Sequence, residues 1–277
     1  MCEKGGKNMD VPVKGINSDE VKLARDLSAG KKVDNEQLFI CEGLWAIEKI
    51  IKKNIKVEMF LFCPELIKTE EDRSKTNLMI EYCKDSYQIS QKACSKISDR
   101  DGADGFFIIC KMPKYELDKL PLKDDMLIMV LDGLEQPGNI GATIRSLDAA
   151  GGDFAIMTNR RVRVTHSRVI RASLGAAFMM PVCVCDMDEV VKWLVKNKFK
   201  IIVTDLTAKK NYYDIDYSGR VCIVAGNEYL GISPEWRNVE GAIPCIIPML
   251  GSVESLNVGF ASTIVAYEAR RYKSFIN

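Results

Sequence analysis

Apolar residues along this chain come in short runs separated by polar stretches that carry glycine or proline. In the first half, Ser18 is placed to cap a helix, with Asp19 and Glu20 in its first turn and Gly30 just past its end. Residues 38–41 read as a short strand. Residues 44–53, with apolar side chains at 44, 47, 50 and 51, read as a helix. A strand follows at 57–63, a charged amphipathic helix at 69–86, a strand at 87–89, a helix at 91–97 and a last strand at 105–110. This pattern predicts a small α/β domain over residues 1–112, entered through a loose tail at 1–17. The charged stretch 113–125 contains Pro113 and Pro121 and lacks periodicity, so it reads as a linker or as a surface loop inside one larger domain.

The second half, residues 126–277, alternates more clearly. The unbroken apolar run at 126–131 suits a strand buried on both faces. Further strands are expected at 154–157, 179–185, 201–204, 221–225 and up to residue 247. Helices fall between most of them, at 139–150, 188–197 and 256–272 with Ser255 as its N-cap. Strands alternating with helices predict a mainly parallel sheet covered on both faces. In such sheets, ligands bind beyond the carboxyl ends of the strands.

Composition narrows the function classes. The 277 residues suit roughly two domains, and 47% apolar with 28% charged residues is ordinary for a globular protein. A formal net charge of +1 gives no global basic field, so nucleic-acid binding must come from local patches. Ten cysteines without ligand spacing and a single histidine make a zinc site not credible. Buried free thiols point to a reducing compartment, and no stretch reaches membrane-spanning length, so a cytoplasmic protein is expected.

Three loops at strand ends carry the candidate chemistry. The first, D-G-L-E-Q-P-G-N-I-G-A-T-I-R, runs from 132 to 145 and places Gly138 and Gly141 around Asn139 at a helix start. Arg145 lies in an otherwise apolar, small-residue helix, six positions and about 240° round the wheel from Asn139. The second, A-G-N-E-Y-L-G-I-S at 225–233, supplies Glu228 as a partner for a cation such as Arg145. The third, I-P-M-L-G-S-V-E-S-L-N-V-G-F-A at 247–261, brings a strand end, a glycine loop and a helix N-terminus to one point. Arg160, Arg161, Arg163, Arg168 and Arg171 crowd one segment with His166 and read as a phosphate-binding patch. Lys31 and Lys32 are weaker candidates for RNA contact.

In order and content, the three loops resemble the motifs of the SpoU/TrmH branch of the SPOUT methyltransferases, over about residues 126–272. The segment R-V-I-R-A-S-L-G-A at 168–176 also resembles the family, in a form similar to ribosomal-RNA methylases that include thiopeptide-resistance enzymes. The first half, through D-E-V-K-L-A-R-D-L and L-F-I-C-E-G, is similar to the ribosomal-protein-like RNA-binding domain that often precedes this catalytic domain.

The resemblance implies a C-terminal trefoil knot, a homodimer, and S-adenosyl-L-methionine bound chiefly by main chain. The implied cofactor positions are Ala225, Gly226, Asn227, Leu230, Ile247, Met249, Ser255 and Leu256, with Thr204 and Asp205 lining the same cleft. It implies methylation of a ribose 2′-hydroxyl in structured RNA, with rRNA favoured over tRNA. The implied catalytic group is Asn139, Arg145, Glu228, Ser255 and Asn257. Asn139 and Asn257 would orient the ribose or the cofactor. Glu228 would fix Arg145 or accept a hydrogen bond, and Ser255 would hold Arg145 or a water. A guanidinium keeps its proton, so Arg145 suits alkoxide stabilisation or phosphate binding better than a base role. It stands near the dimer interface in such a scheme and would complete the partner's site.

Two departures stand out. Gly259 replaces the usual serine, and Tyr229 is bulkier than the usual small residue. Gly259 leaves open a non-catalytic RNA-binding protein with the same knotted fold. A small-molecule methylase would leave the arginines and the N-terminal half without a role.

Overall fold

The computed structural model describes residues 11–98 and 104–276, with side chains through Ser274. The chain folds as two units, Met1–Met112 and Pro113–Asn277.

The first unit is built on a five-stranded mixed sheet. Its elements are β1 (Val13–Lys14), α1 (Asp19–Ser28), β2 (Leu38–Glu42), α2 (Ile47–Lys52), β3 (Val57–Phe62), α3 (Glu70–Tyr82), β4 (Ser86–Ile89), α4 (Gln91–Ile97) and β5 (Phe106–Lys111). The sheet order is β1-β4-β3-β5-β2, with β5 antiparallel to both its neighbours. Ser18, Thr69 and Ser90 cap α1, α3 and α4 through their side-chain oxygens, and Thr69 and Asp72 close a reciprocal capping box. Three expectations need correction. Part of the expected tail, 11–17, contains β1, which pairs with β4, while 1–10 lies outside the described residues. The helix expected at 44–53 opens as a 3-10 turn at Leu44–Ala46, after Gly43 at φ 95, and is α-helical only over Ile47–Lys52. The helix expected to reach residue 86 stops at Tyr82, because Cys83 turns extended and Ser86 joins the sheet.

The second unit is a six-stranded sheet in which every pairing is parallel. Its elements are β6 (Met126–Asp132), α5 (Pro137–Ala149), β7 (Phe154–Thr158), α6 (Ser167–Ala172), α7 (Ala176–Met179), β8 (Val182–Val184), α8 (Met187–Lys196), β9 (Lys200–Thr204), β10 (Arg220–Ala225), α9 (Pro234–Arg237), β11 (Ile243–Cys245) and α10 (Val258–Ile276). The order is β11-β9-β10-β6-β7-β8. The central strand β6 is buried at all seven positions, as its continuous apolar run requires. One face packs Val190, Trp193 and Leu194 of α8, together with Phe199 and Trp236, over Ile128, Val130, Cys222 and Val224. On the sheet's other side α5 and α10 pack against β6 and against each other.

Residues 113–125 do not run free of this unit. Leu117 enters its core, and Arg220 donates to the Lys123 carbonyl at 2.7 Å. Two strands are shorter than expected. Residues 176–179 turn into a helix before Pro181, which leaves β8 three residues. Residues 246 and 247 lie past the end of β11. The last helix starts at Val258, and Asn257, not Ser255, stands at its entrance, with Oδ1 accepting from the Gly259 N–H at 2.9 Å.

Candidate active site

Four strand ends, of β6, β9, β10 and β11, open on one side of the second sheet. Beyond them lies a cavity of about 890 Å³. Pro137 occupies the first turn of α5, where its missing N–H costs nothing. It delivers Asn139 to the cavity wall. After β10 the chain makes a tight loop in which Asn227 and Gly231 exchange backbone hydrogen bonds of 2.8 and 3.0 Å. The loop needs glycine at its base: a Cβ on Gly226 would lie 2.4 Å from backbone atoms of Gly231 and Ile232. Asn227 holds the turn through Oδ1, which accepts from the N–H groups of Tyr229 and Leu230 at 2.9 and 3.0 Å.

A polar chain ties the three motif loops together. Glu228 accepts from the N–H groups of Glu135 and Gln136, each at 3.0 Å, and from the Asn139 amide at 2.9 Å. Asn257 then donates to the Asn139 Oδ1 at 2.9 Å. Burial pushes the Glu228 carboxyl up, but the Glu135 N–H, the Asn139 amide and further backbone N–H groups outweigh it and hold the pKa below the usual range. The group is therefore an ionised acceptor that fixes α5 against the second loop.

Eight of the ten expected cofactor positions line the cavity: Thr204, Asp205, Gly226, Asn227, Ile247, Met249, Ser255 and Leu256. Among the described residues, the N–H groups of Ile247, Met249 and Leu256 make no hydrogen bond within the chain. Ala225 is fully buried in β10, beneath the cleft, and Leu230 points to a second cavity behind the loop. Asp205 is anchored by Thr207 and by Arg237, whose Nε donates at 2.9 Å. Cys245 also lines the cleft, but burial pushes its thiol up to about 12, so it is no thiolate nucleophile.

The expected Glu228–Arg145 and Ser255–Arg145 contacts are absent. Arg145 is exposed, lies outside the cavity and, among the described residues, has no hydrogen bond or ion pair. Six helical residues carry it about 9 Å along α5 and round to another side, while Glu228 is engaged by three donors at the start of that helix. Ser255 is exposed at the cavity wall. The arginine patch is divided: Arg168 and Arg171 line the main cavity, Arg160 and Arg161 line the second, and Arg163 lines neither. His166 accepts from the Arg168 N–H at 3.2 Å at the entrance of α6, and burial followed by Arg163, Arg168 and Arg171 lowers its pKa. Arg237 was not among the expected residues. Its contact with Asp205 spans 32 positions and leaves no local signal.

Gly259 is buried beside α5, where a Cβ would meet Asn257 Oδ1 at 3.2 Å and Ala142 at 3.4 Å. The neighbouring Thr143 hydroxyl is buried and has no partner among the described residues. Tyr229 is 79% exposed and lines the cavity. Among the described residues no cluster of three His, Cys, Asp or Glu side chains could hold a metal.

The chain belongs to the SpoU rRNA methylase family, whose model matches residues 126–267. Residues 18–107 match an MRM3-like substrate binding domain. Among relatives, a 23S rRNA (uridine(2479)-2′-O)-methyltransferase of Streptomyces viridochromogenes is 33% identical over 171 residues, 60% of this chain and 59% of that protein. The match thus spans about three fifths of that relative's length. The 23S rRNA (guanosine(2553)-2′-O)-methyltransferase RlmP of Bacillus subtilis is 24% identical over 93% of this chain and 98% of its own. An AdoMet-bound rRNA methyltransferase from Sinorhizobium meliloti superposes with a TM-score of 0.81 at 27% identity, covering 94% of this chain and 98% of that one.

Proposed function

We propose that this protein transfers a methyl group from S-adenosyl-L-methionine to a ribose 2′-hydroxyl of structured RNA, with ribosomal RNA favoured over transfer RNA. One observation carries the reading: Glu228, Asn139 and Asn257 bond the three motif loops together beside unpaired N–H groups of Ile247, Met249 and Leu256. A cleft walled by main-chain donors suits a nucleoside with a charged amino-acid tail.

The cofactor supplies a methyl carbon already activated by its sulfonium. The protein's task is then to place the hydroxyl in line and manage its charge. Asn139 and Asn257 are fixed by their mutual bond and orient the ribose at the wall. Ionised Glu228 holds that pair in place rather than exchanging protons. Arg168 and Arg171, at the same cavity, neutralise the neighbouring phosphate.

The homodimer and the knot belong to the same proposal. Arg145 does not line its own cavity, so a second subunit is the route by which it would serve a site. Exposed Phe260 and Tyr267 lie seven residues apart on one side of α10 and offer an apolar seam for it. After edge strand β11 the chain returns across residues 246–257 to α10, packed on central β6 and β10. That return supports threading, which is otherwise rare. The first unit serves as the RNA substrate-binding domain, 113–125 as its connection, and 126–277 as the catalytic domain. The free thiols of the nine described cysteines suit a cytoplasmic setting, and no helix among the described residues is long and apolar enough to cross a membrane.

Mixing Arg145→Ala with Asn139→Ala protein tests the shared site. Each alone is expected to be inactive, and mixed dimers should recover part of the activity. No recovery on subunit exchange would remove the arginine in trans. Calorimetry with S-adenosyl-L-methionine separates enzyme from adaptor: measurable binding supports the enzyme, and none favours a non-catalytic RNA-binding protein.

A further inference from the structure

Behind the 227–231 loop lies a second cavity of about 680 Å³, which shares Asn227 and Gly231 with the first. Three arginines line it, Arg160 and Arg161 from the loop after β7 and Arg237 from α9. These two segments are joined through one buried carboxylate, Asp132, which is 1% exposed. Its Oδ1 accepts from Thr158 at 3.2 Å and from the Asn159 amide at 2.8 Å, and its Oδ2 accepts from the Ser233 N–H at 2.8 Å. Asn159, at φ 48, also donates to the Ser233 hydroxyl at 3.1 Å. Asp132 is thereby occupied with scaffold bonds, and the arginines are presented on a fixed frame.

Their donors are largely available. Arg237 uses Nε on Asp205, and among the described residues its two terminal nitrogens carry no bond. Arg160 has no partner among the described residues. Arg161 stands 3.9 Å from Glu135, with side chains 61% and 41% exposed, a weak pair in water. In a chain of net charge +1, three guanidinium groups around one cavity are a local concentration of positive charge. Their planar forks match phosphate oxygens better than point charges do.

We propose that the second cavity is a phosphate subsite for the RNA strand flanking the methylated ribose. The proposal rests on the reading of the main cleft as a ribose methylation site. With the 227–231 loop as a common wall, a strand that puts its ribose in one cavity lays its neighbouring backbone over the other. Arg237 is a positioning residue here, because the same guanidinium that faces the RNA side holds Asp205 on the cofactor side.

The test uses the full chain and an in vitro transcribed fragment of 23S rRNA. Binding is measured over a potassium chloride series for the parent, Arg160→Gln, Arg237→Gln and the double variant. Each lost phosphate contact should lower the slope of log affinity against log salt by about 0.7 to 0.9. Arg160→Gln should leave S-adenosyl-L-methionine affinity unchanged, because it touches nothing in the cleft. Should Arg237→Gln fail to fold, Arg160→Gln paired with Arg161→Gln decides in its place. An unchanged salt slope in a folded double variant, with the parent still methylating the RNA, overturns the subsite alone. Inorganic phosphate that binds the parent but not Arg160→Gln, with no change in the RNA slope, assigns the cavity to a free anion and likewise overturns it. Failure of the parent to methylate any RNA would instead sink the reading beneath it.

Discussion

The Asn257 amide reaches across 118 positions of sequence to donate to Asn139 Oδ1 at 2.9 Å. Asn139 passes the connection on to Glu228. The first and last motif loops are thus locked by side chains, which leaves the unpaired N–H groups of Ile247, Met249 and Leu256 for the proposed cofactor. Removing Asn139 should therefore damage chemistry more than folding. Asn139→Ala is expected to cost about 0.5–1.5 kcal/mol of stability, the range for a lost hydrogen bond, because Glu228 is half-buried and keeps the Glu135 and Gln136 N–H groups. It should abolish methyl transfer, as read by a melting curve and a labelled-methyl assay on the same sample. Near-parent turnover would show that the bridge is structural only.

Gly226→Ala should fail for a steric reason. The added methyl meets backbone of Gly231 and Ile232 at 2.4 Å, and backbone cannot swing aside as a side chain can. The loop must move, at a cost of about 1–3 kcal/mol. Loss of cofactor binding with a retained circular dichroism spectrum is expected from calorimetry on the folded variant. Unchanged affinity would mean that the loop does not shape the cleft.

Gly259→Ser restores the residue that the family resemblance expects. The new side chain needs only a few tenths of an ångström from Asn257, and its hydroxyl comes within reach of the unpaired Thr143 hydroxyl. Stability should stay level or rise by up to about 1 kcal/mol. Activity should persist at the parent's level, because no step of the proposed mechanism uses a hydroxyl at that position. A large rise in turnover on this substitution would show that the glycine disables a catalytic hydroxyl.

Tyr229 offers an exposed ring at the cavity wall, with its backbone pinned by Asn227. Stacking on a base contributes about 1–3 kcal/mol. Tyr229→Ala should therefore raise the KM for RNA while leaving cofactor affinity alone, and Tyr229→Phe should restore the parent value. An equal loss in both variants would assign the effect to the hydroxyl instead.

Acid should loosen the loop bridge in a defined direction. Burial raises the Glu228 pKa, but the donors around it lower it further, so folding favours the charged form. Its contribution to stability is complete above its ordinary value of 4.5 and disappears as pH falls through the lower folded value. Glu228→Gln should lose part of this acid dependence, measured as melting temperature from pH 7 to pH 3. Parallel curves for parent and variant would contradict the assignment.

The α/β organisation was legible because the buried strands are unbroken apolar runs, with β6 the clearest, and because a capping residue such as Ser18 marks a helix start. Boundaries depended on single backbone features that a pattern cannot rank. Asn257 displaced Ser255 at the entrance of α10 because it sits immediately before the first helical residue and accepts from Gly259. The three loops that wall the cleft were legible because they lie at strand ends, and the single positions within them followed from the resemblance to the family's motifs. The absence of an Arg145–Glu228 contact was not legible, since periodicity separates faces of α5 but says nothing of the N–H groups that already occupy Glu228. Arg237 was invisible because its partner is distant in sequence.

The most direct measurement follows labelled methyl from S-adenosyl-L-methionine into bacterial ribosomal RNA, then tests the product by alkaline hydrolysis. A 2′-O-methyl group blocks cleavage at its own phosphodiester, so label in an alkali-resistant dinucleotide is the predicted result. Label confined to mononucleotides, or none at all with folded protein and bound cofactor, would contradict the ribose hydroxyl as the acceptor.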